Sequence, residues 1–284
     1  MSRNVAASIR ARLKQHADAA REDFNLTLTR YGLERLLYRL SVSAHADRFL
    51  LKGALLFSLW YDQPHRPTRD ADLLAFGSDD VDAMVATFRE ICAIAVDDGI
   101  VFDVAGIRAG EIRKAAGYGG VRVDVKAGLD GARMSLQVDI GFGDAVTPGP
   151  EAVRYPVLLD DLPAPELRAY PKYTVIAEKL HAICLLGLAN TRMKDYFDLD
   201  VLLGDVAIDP VELRHAIGAT FARRKLAVPD DWPVGLSEAF CVDAVKQAQW
   251  TAFLRKNRLD SMPLPVVVER LRARLAQLAT AAGA

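Results

Sequence analysis

The chain has 284 residues, 51% of them hydrophobic, enough for a substantial core in one or two domains. Its 36 basic and 37 acidic side chains leave a net charge of -1, which excludes a global basic field and confines any nucleic-acid partner to a local patch. Cys92, Cys184 and Cys241 are scattered in apolar contexts, which suits reduced thiols in a cytoplasmic protein and excludes a zinc knuckle or disulfide frame. Met1 opens a charged segment, so no secretory signal is expected. No uncharged apolar stretch reaches membrane-spanning length, so no membrane partner is expected either.

Residues 3 to 40 read as helical. Val5, Ile9 and Leu13 recur at helical spacing, as do Leu33, Leu36, Leu37 and Leu40, and Gly32 reads as a break or bend. Arg48 to Lys52 is a short apolar run ending at Gly53, and Ala54 to Trp60 suits one helical segment, broken by Pro64 and Pro67. Leu73 to Phe76 reads as a buried strand. A helix follows, with Ser78, Asp79 or Asp80 as its N-cap and Val81, Met84, Phe88 and Ile91 on its apolar face.

From Val101 to Gly143 the period switches to two. Val121 to Val125 and Leu136 to Ile140 alternate around a turn signal at 128–131, which predicts an antiparallel hairpin. Val138 and Ile140 then face the core and Asp139 faces the other way. Six prolines between residues 145 and 172 read as an extended connection. Helices are expected at 174–188, 192–203, 210–221, 236–255 and 265–280. The fold class is therefore α/β (α+β), with a small mixed sheet, N-terminal helices and a helical C-terminal half. The domains divide as 1–160 and 165–284, with the active-site cleft completed by the second.

Asp70 and Asp72 lie two apart in an extended segment, so both carboxylates leave one face. They repel unless salt bridges, burial or a bound cation offset the charge. An oxygen-only pair suits Mg²⁺, which binds through one or two carboxylates plus phosphates. A solvated strand end with two surface acids is the other reading of Asp-x-Asp. Asp139 ends a strand that can lie beside the first pair, and three such acids outline a two-metal phosphoryl-transfer site. Lys179 sits on or beside the apolar stripe of its helix, as a fixed cation or as a snorkelling one. Asp195 opens an apolar stripe, where an acid also suits a first helical turn. Arg223, Arg224 and Lys225 form a basic run suited either to a solvated helix end or to a phosphate backbone.

Five segments occur in order: Phe49-Leu50-Leu51-Lys52-Gly53-Ala54-Leu55, Arg66-Pro67-Thr68-Arg69-Asp70-Ala71-Asp72, Gln137-Val138-Asp139-Ile140-Gly141-Phe142-Gly143-Asp144, Ala177-Glu178-Lys179 and Arg192-Met193-Lys194-Asp195-Tyr196-Phe197-Asp198-Leu199. Together they resemble the successive motifs of the AbiEii/AbiGii abortive-infection toxin family, nucleotidyltransferases of the DNA polymerase beta superfamily. The resemblance implies metal ligation by Asp70, Asp72 and Asp139, with Asp139, Lys179 and Asp195 completing the catalytic set. It implies nucleotide binding by Lys52, Gly53, Ala54, Arg69, Lys179 and Lys194. It also implies Mg²⁺ or Mn²⁺, an NTP substrate, a tRNA 3′ end as acceptor, a role in phage defence and a separately encoded antitoxin. A protein hydroxyl as acceptor, and a non-catalytic nucleotide-binding regulator, are the alternatives. The family's first motif usually carries a hydroxyl after its glycine, where this chain has Ala54.

Overall fold

The computed structural model describes residues 3–61, 66–113, 119–204 and 207–283. Two compact units emerge: residues 1–143 with 151–169, and residues 144–150 with 170–284.

The first unit opens with helices α1 (Arg3–Ala19) and α2 (Phe24–Ser41). The expected break at Gly32 is absent; the chain breaks instead before Asp23, whose carboxylate caps α2 by accepting from Leu26 N. Gly32 lies in the middle of α2 because a Cβ there would stand 2.9 Å from Leu136 Cδ2, closer than packed carbons approach. Strand β1 (Phe49–Lys52) is followed by a 3-10 turn over Gly53–Leu56 and a short helix, α3 (Phe57–Trp60). The single helical segment expected here is thus split. Pro64, read as a breaker, lies outside the described residues.

Strand β2 (Asp70–Ala75) begins three residues earlier than its apolar run, and α4 (Val81–Ala93) is capped by Asp80, which accepts from Ala83 N. Next come β3 (Val101–Phe102), β4 (Arg108–Arg113), β5 (Gly119–Leu129) and β6 (Ala132–Phe142). The β5–β6 hairpin pairs Leu129 with Ala132, so Asp130 and Gly131 form its two-residue turn. Both have positive φ, at 43° and 81°, as such a turn requires.

The proline-rich stretch corrects the sequence reading. It contains β7 (Glu151–Arg154) and β8 (Glu166–Ala169), and β8 joins the sheet beside β1. Pro156, Pro163 and Pro165 fall in the loop between these strands, where no ladder N–H is needed. Among the described residues the sheet is mixed and has eight strands, larger than the small sheet expected. Its order is β3-β5-β6-β2-β1-β8-β7, with β4 also on β5.

The layer under α2 is partly ionic. Arg39 forks onto Asp98 at 2.6 and 3.1 Å, Arg35 donates to Pro163 O at 3.0 Å, and Glu34 accepts from Leu158 N at 2.7 Å. All four side chains are buried. Burial pushes the Glu34 carboxyl up to about 7, against the pull of Arg35.

The second unit is helical: α5 (Lys172–Leu186), α6 (Met193–Gly204), α7 (Pro210–Arg223), α8 (Glu238–Cys241), α9 (Ala244–Asn257) and α10 (Leu264–Gly283). The one helix expected over 236–255 is divided, because Ser237 and Asp243 each cap a new helix. Ile176, Ile183, Leu199, Leu202, Phe221 and Val267 form its core. No described helix is long and apolar enough to cross a membrane.

Candidate active site

In the first unit, β2 runs parallel to β6 and antiparallel to β1. The register sets Asp72 beside Asp139 on one flank and beside Lys52 on the other. On β5, Arg122 pairs with Asp139. Four charged residues, Lys52, Asp72, Asp139 and Arg122, therefore form a row across four adjacent strands. Paired residues project from the same face of a sheet. The opposite face carries Ala71, Leu73, Val138 and Ile140, all buried. Alternation thus separates the acids from the core, and Asp70, two residues before Asp72, shares their face.

Each side chain is held differently. Asp70 Oδ1 accepts from Thr68 Oγ1 at 2.7 Å. Asp72 lies against the turn after β1. Gly53 has φ +75°, and a Cβ built on it would stand 2.7 Å from both Cβ and Cγ of Asp72, with Oδ2 closer still. Two demands therefore converge on glycine: a left-handed backbone and room for a carboxylate. Lys52 is buried, with 7% exposure. Ala54 continues the 3-10 turn, and Arg69 is exposed just before β2.

Asp139 is engaged by a residue that the sequence reading passed over. Arg122 Nε and Nη2 donate to its two carboxylate oxygens, each at 2.8 Å. The bidentate bond to Asp139 raises the Arg122 guanidinium further above its ordinary range, and the Asp124 and Asp70 charges add to it. The signal was present in the sequence: a two-residue turn at Asp130-Gly131 sets residue 122 opposite residue 139.

The oxygen-only set fits a hard divalent cation. Asp70 and Asp72 share a face, and glycine leaves room for the Asp72 carboxylate. Among the described residues, however, no group of three His, Cys, Asp or Glu side chains is gathered as a metal cage. The charge of Asp139, the third acid, is offset by the Arg122 guanidinium.

In the second unit, Lys179 on α5 donates to Asp195 Oδ1 at 3.1 Å and to Asp198 Oδ2 at 2.6 Å, both carboxylates fully buried on α6. Arg192 Nε lies 2.6 Å from Asp195 Oδ2. Lys179 is therefore held by paired acids and does not snorkel into open water, while Lys194, just before Asp195, is exposed. Asp198, a turn beyond Asp195, is the partner that periodicity alone did not single out.

A second network corrects the reading of the basic run. Arg224 Nη2 donates to Asp144 Oδ1 at 3.1 Å and to Glu178 Oε1 at 2.6 Å, and Tyr170 donates to Asp144 Oδ2. Arg224 is turned inward, with a side-chain exposure of 16%, while Arg223 and Lys225 stay exposed. Beside it, burial, with help from the Arg224 charge, pushes His181 down to about 4. Neither ring nitrogen has a hydrogen-bond partner among the described residues.

Against known proteins, residues 35–277 match the family model described as nucleotidyl transferase AbiEii toxin, type IV TA system. Two Helicobacter pylori crystal structures share the fold. One is a candidate nucleotidyltransferase, 15% identical, covering 88% of this chain and 93% of its own, with a TM-score of 0.52. The other is JHP933, 14% identical, covering 88% and 90%, with a TM-score of 0.51. No curated protein matches.

Proposed function

The chain belongs to the AbiEii family of nucleotidyltransferase toxins of type IV toxin–antitoxin systems, and from that premise we propose a divalent-cation-dependent transfer of a nucleotidyl group from an NTP to the 3′ end of tRNA. Family membership implies the NTP substrate and an antitoxin partner. The observation that carries the cation-dependent chemistry is the row on the sheet: Asp72 in register with Asp139, Asp70 on the same face, and Gly53 making room beneath Asp72; the tRNA acceptor rests on the family resemblance.

In this reading Asp70 and Asp72 hold Mg²⁺ or Mn²⁺, and Asp139 is the third acid. Bound there, the cation would offset charge on the triphosphate and the departing pyrophosphate. The acceptor hydroxyl gives up its proton to water as its oxygen forms one bond to the α-phosphorus and the bond to pyrophosphate breaks. Lys179, fixed by Asp195 and Asp198, serves as the triphosphate cation. Lys52, Arg69, Lys194 and the backbone at Gly53 and Ala54 contribute to nucleotide binding, the last as N–H donors at a turn. Arg223 and Lys225 contribute to acceptor binding, while Arg224 serves structure.

Incubation with each labelled NTP, Mg²⁺ and total RNA, resolved on a gel, tests the proposal. Label should enter RNA of tRNA size and vanish in Asp72→Ala. Transfer at the wild-type rate in that variant refutes the metal assignment. Label in the protein band instead identifies a protein hydroxyl as acceptor. NTP binding without any labelled product identifies a regulator.

A further inference from the structure

The side chain most at odds with a metal on Asp139 is Arg122. Its guanidinium spans both carboxylate oxygens at 2.8 Å, so a cation approaching Asp139 finds one lone pair of each oxygen in use and a positive charge already beside them. We propose that Arg122 is an internal counter-cation that holds Asp139 in reserve and that a divalent cation must displace before Asp139 can act with Asp70 and Asp72. The inference rests on the metal-dependent reading above and deepens it.

Three observations carry it. First, the row Lys52, Asp72, Asp139, Arg122 balances two positive against two negative charges on adjacent strands. In the resting protein the charge of Asp139 is therefore offset by Arg122, while Asp70 is a further acid on the same face. A divalent cation added with Arg122 in place would set two cations on one carboxylate, and like charges repel.

Second, the two partners differ in freedom. Asp139 is short, held on a strand flanked on both sides, and its side chain is 13% exposed, whereas Arg122 is 41% exposed on a long stem. The arginine is the partner that moves. Third, Arg122 has somewhere to go. Asp124 stands two residues along β5 on the same face, is exposed, and already acts on the guanidinium electrostatically. Displacement therefore transfers the arginine from one acid toward another and leaves no bare charge.

The pair also serves as a positioning device. A planar fork fixes the carboxylate plane more sharply than a lysine would. Asp139 is thereby presented in one orientation while the metal is absent.

Mn²⁺ binding tests this in the whole protein, without nucleotide, by following free Mn²⁺ with electron paramagnetic resonance. Arg122→Gln should bind Mn²⁺ roughly tenfold more tightly than wild type, the scale expected when a charge-assisted hydrogen-bonded competitor is removed. Arg122→Lys should fall between the two, because an ammonium competes at one point only. Adding Asp139→Asn to Arg122→Gln should abolish the gain. The pair is open to water on the arginine side, so thermal melting of Arg122→Gln should fall only slightly while the protein stays folded. Wild-type Mn²⁺ affinity in Arg122→Gln, a gain that survives Asp139→Asn, or no Mn²⁺ bound by either protein would overturn the proposal. The transfer assay separates the two readings. Unchanged Mn²⁺ binding alongside Asp72-dependent transfer removes the counter-cation and keeps the enzyme. Tighter Mn²⁺ binding in Arg122→Gln alongside no wild-type transfer does the reverse.

Discussion

Gly53→Ala isolates the contact that places Asp72. Two costs are separable. The backbone at φ +75° is left-handed, and an L-residue there loses about 1 to 2 kcal/mol relative to glycine. The new methyl would also stand 2.7 Å from Asp72 Cβ and Cγ, so the carboxylate must rotate or the turn must shift. Forcing a side chain off its rotamer costs a further 0.5 to 1.5 kcal/mol, roughly. The expected loss is about 2 to 3 kcal/mol in a urea titration, and transfer should fall far more than stability does. Asp72→Gly removes every Asp72 atom the methyl would meet. In that background Gly53→Ala should cost only the backbone part, about 1 to 2 kcal/mol, and the difference is the coupling energy of the double-mutant cycle. Wild-type stability and wild-type transfer in Gly53→Ala would refute the argument. A full cost persisting in the Asp72→Gly background would show that backbone strain alone is responsible.

Lys179→Met keeps the length of the stem but withdraws a charge shared by Asp195 and Asp198, and removing one member of a buried ion pair costs about 3 to 5 kcal/mol. Stability should return in part with Lys179→Met/Asp198→Asn while activity stays lost, and undiminished stability in the single variant would contradict the pairing. Glu34 should make the protein less stable as pH rises from about 4.5 to 7. Its folded pKa of about 7 lies above the ordinary carboxyl value of 4.5, so the native state holds the extra proton across that window and the penalty is complete above it. Glu34→Gln should raise the stability measured at pH 8 by up to about 3 kcal/mol relative to wild type, a gain that fades toward pH 4. A pH-independent difference between the two proteins would remove the buried-acid explanation. Neutralising Arg223 and Lys225 should reduce the salt dependence of tRNA binding without loss of fold, whereas Arg224→Ala should lower the melting temperature by leaving Asp144 and Glu178 without that cation.

The chain by itself determined whatever depends on near neighbours. Alternation along 136–140 put Asp139 on the face away from Val138 and Ile140, and Asp70 with Asp72 on one side of their strand, because successive side chains of a strand leave opposite faces. The turn at Asp130-Gly131 contained the β5–β6 register, and with it the pairing of Arg122 with Asp139. The helices of the C-terminal half follow their apolar spacing and their caps.

Tertiary structure decided what depends on partners distant in sequence. Gly32 read as a local break, but it is set by Leu136 about a hundred residues on, which leaves no space for a Cβ. The prolines of 145–172 hid two strands, because β8 exists only through pairing with β1 and β7. Glu34, Arg35 and Arg39 carry no periodic sign of burial; Asp98 and the backbone of 158 and 163 supply their partners. Arg224 looked like its neighbours Arg223 and Lys225 until Asp144 and Glu178 turned it inward. Charge is legible in sequence, but whether a charge faces water, another side chain or a substrate is settled by the electrostatics of residues that only folding brings together.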